Sequence, residues 1–113
     1  MKIYLSKINE YWIVDRVRAE WYKYNPSIST EKIKEANIIW IIAPWVWKKT
    51  PKRHLKNKKV ICSYYHFDFD KFGQKEKENF YNLDQYVDEY HVISEITKKQ
   101  LSSLTDKKIT SIP

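Results

Sequence analysis

The chain alternates short apolar runs with longer amphipathic stretches. Residues 2–6, KIYLS, form a first strand candidate with Ile3 and Leu5 as its apolar positions. After Asn9 and Glu10, the positions Trp12, Ile13, Val17, Trp21 and Tyr24 recur at helical spacing and make one broad face. Asp15, Arg16, Arg18 and Glu20 fall on the other face. Asn25-Pro26 ends that helix, because the residue before proline is pushed out of the helical region. Residues 26–29 are an edge strand or a loop. Ser29 or Thr30 then caps a short turn over residues 31–35.

Residues 38–43, IIWIIA, are apolar on both faces, the pattern of a parallel strand covered by helices on two sides, and Pro44 stops them. Trp45 and Trp47 are expected in a loop, and Thr50-Pro51 opens a short basic helix. Residues 60–65 make the next strand. A polar stretch runs into a helix with Phe80, Tyr81 and Leu83 on its apolar side. Residues 89–94, EYHVIS, form a fourth strand. Ser94 caps a helix with Glu95 in its first turn and Ile96, Leu101 and Leu104 pointing inward. Residues 107–112 give a fifth strand. This alternation predicts an α/β fold: a Rossmann-like, doubly wound, mostly parallel sheet of about five strands with helices on both faces.

Composition narrows the function classes. A length of 113 residues fits one domain, and 42% hydrophobic with 16% aromatic residues is a globular composition. Gly73 is the single glycine, so no glycine-rich phosphate loop can be written. Cys62 is the single cysteine; it has no internal disulfide partner and sits in an apolar run, so a reducing, cytoplasmic setting is expected. No apolar stretch is long enough to span a bilayer. The net charge of +7 is local: residues 48–59 hold Lys48, Lys49, Lys52, Arg53, Lys56, Lys58 and Lys59 with no acidic residue. The remainder carries fourteen basic and fourteen acidic residues.

Strand tips are where ligands sit in open α/β sheets. The stretch after the third strand brings His66, Asp68 and Asp70 there, between aromatics. An imidazole suits hydrogen bonding or proton transfer, which makes His66 the strongest candidate there. Asp68 and Asp70 share one side of an extended segment, but two carboxylates and an imidazole are too few to argue a metal site. Trp45 and Trp47 suit stacking on a sugar, contact with a bilayer interface, or burial against another lobe. Ser94 and Glu95 stand at a helix start, where an ordinary cap is the simpler reading than an anion site. His91, inside a strand, reads as structural. The basic run fits a solvated face, an anionic membrane surface at about 1 kcal/mol per nearby basic residue, or nucleic-acid phosphates. The neutral remainder and the lack of a recognition motif disfavour nucleic acid.

The segments VDEYHVISEITKKQL and KKITSIP resemble the end of the N-terminal domain of family 4-type glycosyltransferases with the GT-B fold. YWIVDRVRAEWYKY is similar to the first helix of that family, EANIIWIIAPW to its "aDiiw" strand, and the strand ending at His66 to its histidine-tipped cleft strand. The glycine-rich turn common after the family's first strand is replaced by SKINEYW. The resemblance implies that residues 1–113 are a single Rossmann-like domain, the acceptor-side half, with the donor-binding C-terminal domain absent. It places His66 at the cleft as the catalytic or sugar-orienting group, and Asn9, Glu10 and Tyr11 at the acceptor loop. It implies no cofactor on this half; a nucleotide-sugar donor would bind only with the second domain. The implied partners are that second domain, a sugar or lipid-linked acceptor, and the inner face of an anionic membrane. Transfer by this half alone is not expected. The alternative is a non-catalytic basic α/β module on nucleic acid or anionic membrane.

Overall fold

The computed structural model describes residues 1–6, 13–65 and 73–112, apart from the side chains of residues 13, 14, 45 and 46. Five strands, β1 (Ile3–Leu5), β2 (Ile38–Ile41), β3 (Lys59–Tyr64), β4 (Glu89–Val92) and β5 (Lys108–Ser111), pair in sequence order, and every pairing is parallel. Helices α1 (Ile13–Tyr24), α2 (Lys52–Asn57), α3 (Gln74–Asp84) and α4 (Glu95–Ser102) alternate with them. The expected α/β, Rossmann-like, parallel architecture is what forms.

Register fixes the two faces, since paired residues of adjacent strands point the same way. Ile39, Ile41, Val60, Cys62, Tyr90 and Val92 share one face, and each is at most 1% exposed. Phe80 and Leu83 of α3 cover them; the Phe80 ring lies 6.2 Å from Tyr64 and 6.0 Å from Tyr90. Leu55 of α2 and Leu101 of α4 join the same buried cluster. Trp40, Ser63 and His91 occupy the opposite face. There α1 packs through Trp21, set edge-on to Trp40 at 5.2 Å.

Helices on both faces imply a reversal in winding direction, and one is visible at β1. After α1 the chain makes an isolated parallel bridge between Ser29 and Ile3, on the side of β1 away from β2. It then returns past β1 to build β2 to β5 on the other side. Crossovers are right-handed, so the reversal sends α1 to one face and the later helices to the other. The switch between the two directions lies at the carboxyl ends of β1 and β2.

That outward bridge also closes the free edge of β1. Ile3 O accepts from Thr30 N at 3.0 Å, Leu5 N donates to Tyr22 Oη at 3.1 Å, and Leu5 O accepts from Arg18 Nε at 3.0 Å. Tyr22 Oη in turn donates to Thr30 O at 2.7 Å.

Several side chains depart from the helical-wheel expectation. Arg18, assigned to the solvated face of α1, is only 11% exposed, because β1 supplies a carbonyl and Tyr22 a ring 4.7 Å beneath the guanidinium. Tyr24, assigned to the apolar face, is 72% exposed, since the helix ends there with no strand beneath it. Ile96, expected to point inward, is also 72% exposed, and Tyr81 is exposed. In α4 the inward positions are Thr97 and Leu101, four apart. Residues 44–49, expected as a loop, form a 3-10 segment, Pro44–Lys49, which packs against β2 and β3. Residues 26–29, expected as an edge strand or a loop, divide into the 3-10 turn Pro26–Ile28 and the bridging Ser29.

Candidate functional site

Because every strand runs the same way, the carboxyl ends of all five meet along one rim. At the switch, Ser6 ties the first two tips together. Its N–H donates to Trp40 O at 2.9 Å, and its buried hydroxyl accepts from Ile42 N at 3.1 Å. At the far end of the rim, Ser94 Oγ accepts from Thr97 N at 3.2 Å and donates to Thr97 Oγ1 at 2.9 Å. Both hydroxyl functions of Ser94 are therefore engaged in capping α4, and the exposed Glu95 already sets a negative charge in its first turn. This rim exposes apolar side chains: Tyr65 beyond β3, Ile93 beyond β4, Ile96 in α4 and Ile112 beyond β5, at 37%, 42%, 72% and 56%.

Asn9, Glu10, Tyr11, His66, Asp68 and Asp70 lie outside the described residues, as does the side chain of Trp45. Ser6 and Tyr65 both stand at the carboxyl rim. Trp47 is buried at 7% and turned into the helical layer, its ring centroid 6.0 Å from Tyr86.

The basic run is divided by α2, which carries the chain from the carboxyl side of the sheet back to its amino side. At the amino side, Lys58 Nζ donates to the carbonyls of Lys34 and Ala36, and Lys59 pairs with Glu89 at 3.2 Å. These two cations hold strand starts together. A shallow depression of about 310 Å³ lies beside them, lined by Lys56, Asn57 and Asp88. Lys49, Lys52, Arg53 and Lys56 are exposed. Lys48 and Lys52 line a second cleft of about 260 Å³ with Trp47, Thr50, Asn82, Gln85 and Tyr86. Sequence reading missed the α3 side of this cleft. The signal was partly there: Asn79 and Asn82 lie three apart on a helix otherwise rich in charge, and Tyr86 follows in the turn after it.

No protein-family model matches this chain, and no match is found among curated proteins or solved structures.

The remaining chemistry-bearing groups are structural. Trp40 Nε1 donates to Ser63 Oγ at 2.9 Å, Ser63 Oγ lies 2.9 Å from His91 Nδ1, and His91 Nε2 lies 3.4 Å from Ile112 O. This file of polar groups crosses β2, β3 and β4 on one face, and Ser63 is fully buried. Asp84 accepts from Tyr90 Oη at 2.6 Å and from Thr105 Oγ1 at 2.8 Å, tying α3 to β4 and to the turn before β5. Burial pushes the Cys62 thiol well above its usual range, so it stays protonated and unreactive. Burial likewise raises the Tyr64 and Tyr90 hydroxyls, and for Tyr90 the hydrogen bond to Asp84 adds to the effect. Among the described residues no group of three or more His, Cys, Asp or Glu side chains could hold a metal ion, and no helix is long and apolar enough to cross a membrane.

Proposed function

We propose that this domain is the acceptor-side half of a glycosyltransferase that moves a sugar from a nucleotide-sugar to a hydroxyl acceptor. The observation that carries the reading is the apolar rim of Tyr65, Ile93, Ile96 and Ile112 along the carboxyl ends of a parallel sheet. Side chains of that kind in that place suit a second lobe closing over the strand tips. The winding switch beside β1 and the resemblance of the strand and helix segments to GT-B enzymes support it further. In this reading His66, Asp68, Asp70, Asn9, Glu10 and Tyr11 serve the acceptor, while the nucleotide-sugar sits on the partner lobe and no cofactor belongs to this half. The enzyme would be cytoplasmic, resting on the inner face of a membrane through Lys49, Lys52, Arg53 and Lys56.

The test begins with the coding sequence downstream of residue 113 and with neighbouring genes. A donor-binding βαβ series is expected in one of them, and its absence from both would refute the reading. Where it is found, sugar transfer by the two halves together should be lost on His66→Ala.

The exposed, acid-free set Lys49, Lys52, Arg53 and Lys56 favours a second reading, a non-catalytic module on anionic membrane or nucleic acid. It predicts binding that weakens steeply with salt and disappears when Lys52, Arg53 and Lys56 are neutralised. Salt-independent behaviour would remove it.

A further inference from the structure

The cleft between the Pro44–Lys49 segment and α3 has the makings of a ligand site of its own. None of its lining residues belongs to the exposed apolar rim. One wall presents two ammonium groups, Lys48 and Lys52, and the other presents the amides of Asn82 and Gln85. Thr50, from the turn between the Pro44–Lys49 segment and α2, adds a hydroxyl, and Trp47 and Tyr86 supply an aromatic surface. No carboxylate among the described residues lines it.

No described residue neutralises this charge. Lys48 Nζ donates to Asn79 Oδ1 at 3.3 Å, a neutral partner that orients the ammonium without cancelling it. None of the ion pairs among the described residues involves Lys48 or Lys52. The acids of α3 are turned to other work. Asp84 accepts from Tyr90 and Thr105, Glu76 accepts from Gly73 N, and Glu78 accepts from Gln74 Nε2 at 3.2 Å.

We propose that this cleft binds a phosphate monoester or diphosphate group. Two cations with several neutral donors suit an anion with many acceptor oxygens, because charge-assisted hydrogen bonds are about twice as strong as neutral ones. The aromatic pair suits the ring or glycerol body that carries the phosphate. The inference goes beyond the sugar-transfer reading and stands whether or not that reading holds. The phosphate belongs either to a soluble metabolite or to a lipid headgroup.

The two sources are separated by titrating the domain with inorganic pyrophosphate and, in a second arm, with phosphatidylcholine vesicles with and without phosphatidic acid. NMR of the Trp47 indole and of the Asn82 and Gln85 side-chain amides reports on the cleft. In whichever arm binds, Lys48→Gln and Lys52→Gln should each weaken binding by roughly tenfold. Lys75→Gln and Lys99→Gln, which remove the same charge from exposed positions outside both the cleft and the basic run, should cost less than about twofold. Pyrophosphate binding with that pattern supports the site and assigns it a soluble ligand; vesicle binding alone with that pattern supports it and assigns the lipid. Silence in both arms, or equal dependence on all four lysines, overturns it.

Discussion

The Ser63 hydroxyl stands 2.9 Å from Nδ1 of His91, joining β3 to β4 near their carboxyl ends. Trp40 Nε1, which can only donate, bonds the same oxygen from β2. Ile112 O, which can only accept, faces the other imidazole nitrogen, so neutral His91 carries its proton on Nε2 and accepts at Nδ1. Ser63→Ala would leave the Trp40 N–H without its partner, at a cost of about 1–3 kcal/mol. The double variant Trp40→Phe, Ser63→Ala removes both members and should recover part of that loss. Urea unfolding of the four species of this cycle measures it, and nitrogen shifts of the His91 ring report the tautomer.

Arg18 is held by geometry rather than by its ion pair. Its Nε donates to Leu5 O at 3.0 Å, and the Tyr22 ring lies 4.7 Å below the guanidinium, whereas Glu31 is 3.8 Å away and mostly exposed. Glu31→Gln should therefore change stability by less than about 1 kcal/mol. Arg18→Ala should cost roughly 1–3 kcal/mol through the unpaired carbonyl and lost packing. Denaturant midpoints of the two variants decide between these accounts; equal losses would contradict the geometric one.

The buried tyrosines set an alkaline limit. The unfolded Tyr90 ionises near 10.0, and the folded group ionises above that. Above that pH the unfolded chain has released its phenolic proton while the folded chain keeps it, so stability falls as pH rises; below it the contribution is complete. Tyr64 acts in the same direction. Tyr90→Phe should lose about 1–3 kcal/mol near neutrality with the Asp84 bond. Above about pH 10 its stability should then decline more gently than the parent's. Unfolding midpoints across the alkaline range test both halves of the statement.

Cys62 is fully buried, and its thiol is held in the protonated form. Alkylation by iodoacetamide should proceed only through opening of the core, so its rate should follow denaturant in parallel with unfolding. Fast labelling in native buffer would contradict the packing of β3.

The strands were legible because fully buried parallel strands are nearly continuous in apolar residues; residues 38–43 could hardly be anything else. Their neighbours were not legible, because register depends on contacts far apart in sequence. Trp40, Ser63 and His91 become one file only when three strands are aligned. Helix faces failed where a partner was not local. Arg18 reads as solvated until β1 and Tyr22 supply acceptor and ring, and Ile96 reads as buried until Thr97 and Leu101 take the inward positions. The cleft on α3 was hidden for the same reason: Asn82 and Tyr86 acquire meaning only when Lys48 and Lys52 lie across from them.

The sealing of β1 by Thr30, Tyr22 and Arg18 leaves the sheet with asymmetric flanks. Among the described strands, β5 alone lacks a neighbour on its outer side. Self-association at high concentration should therefore proceed through β5, strand adding to strand, and the exposed Lys108 at its start is the charge that discourages it. A variant uncharged at that position is the one to watch for fibrils.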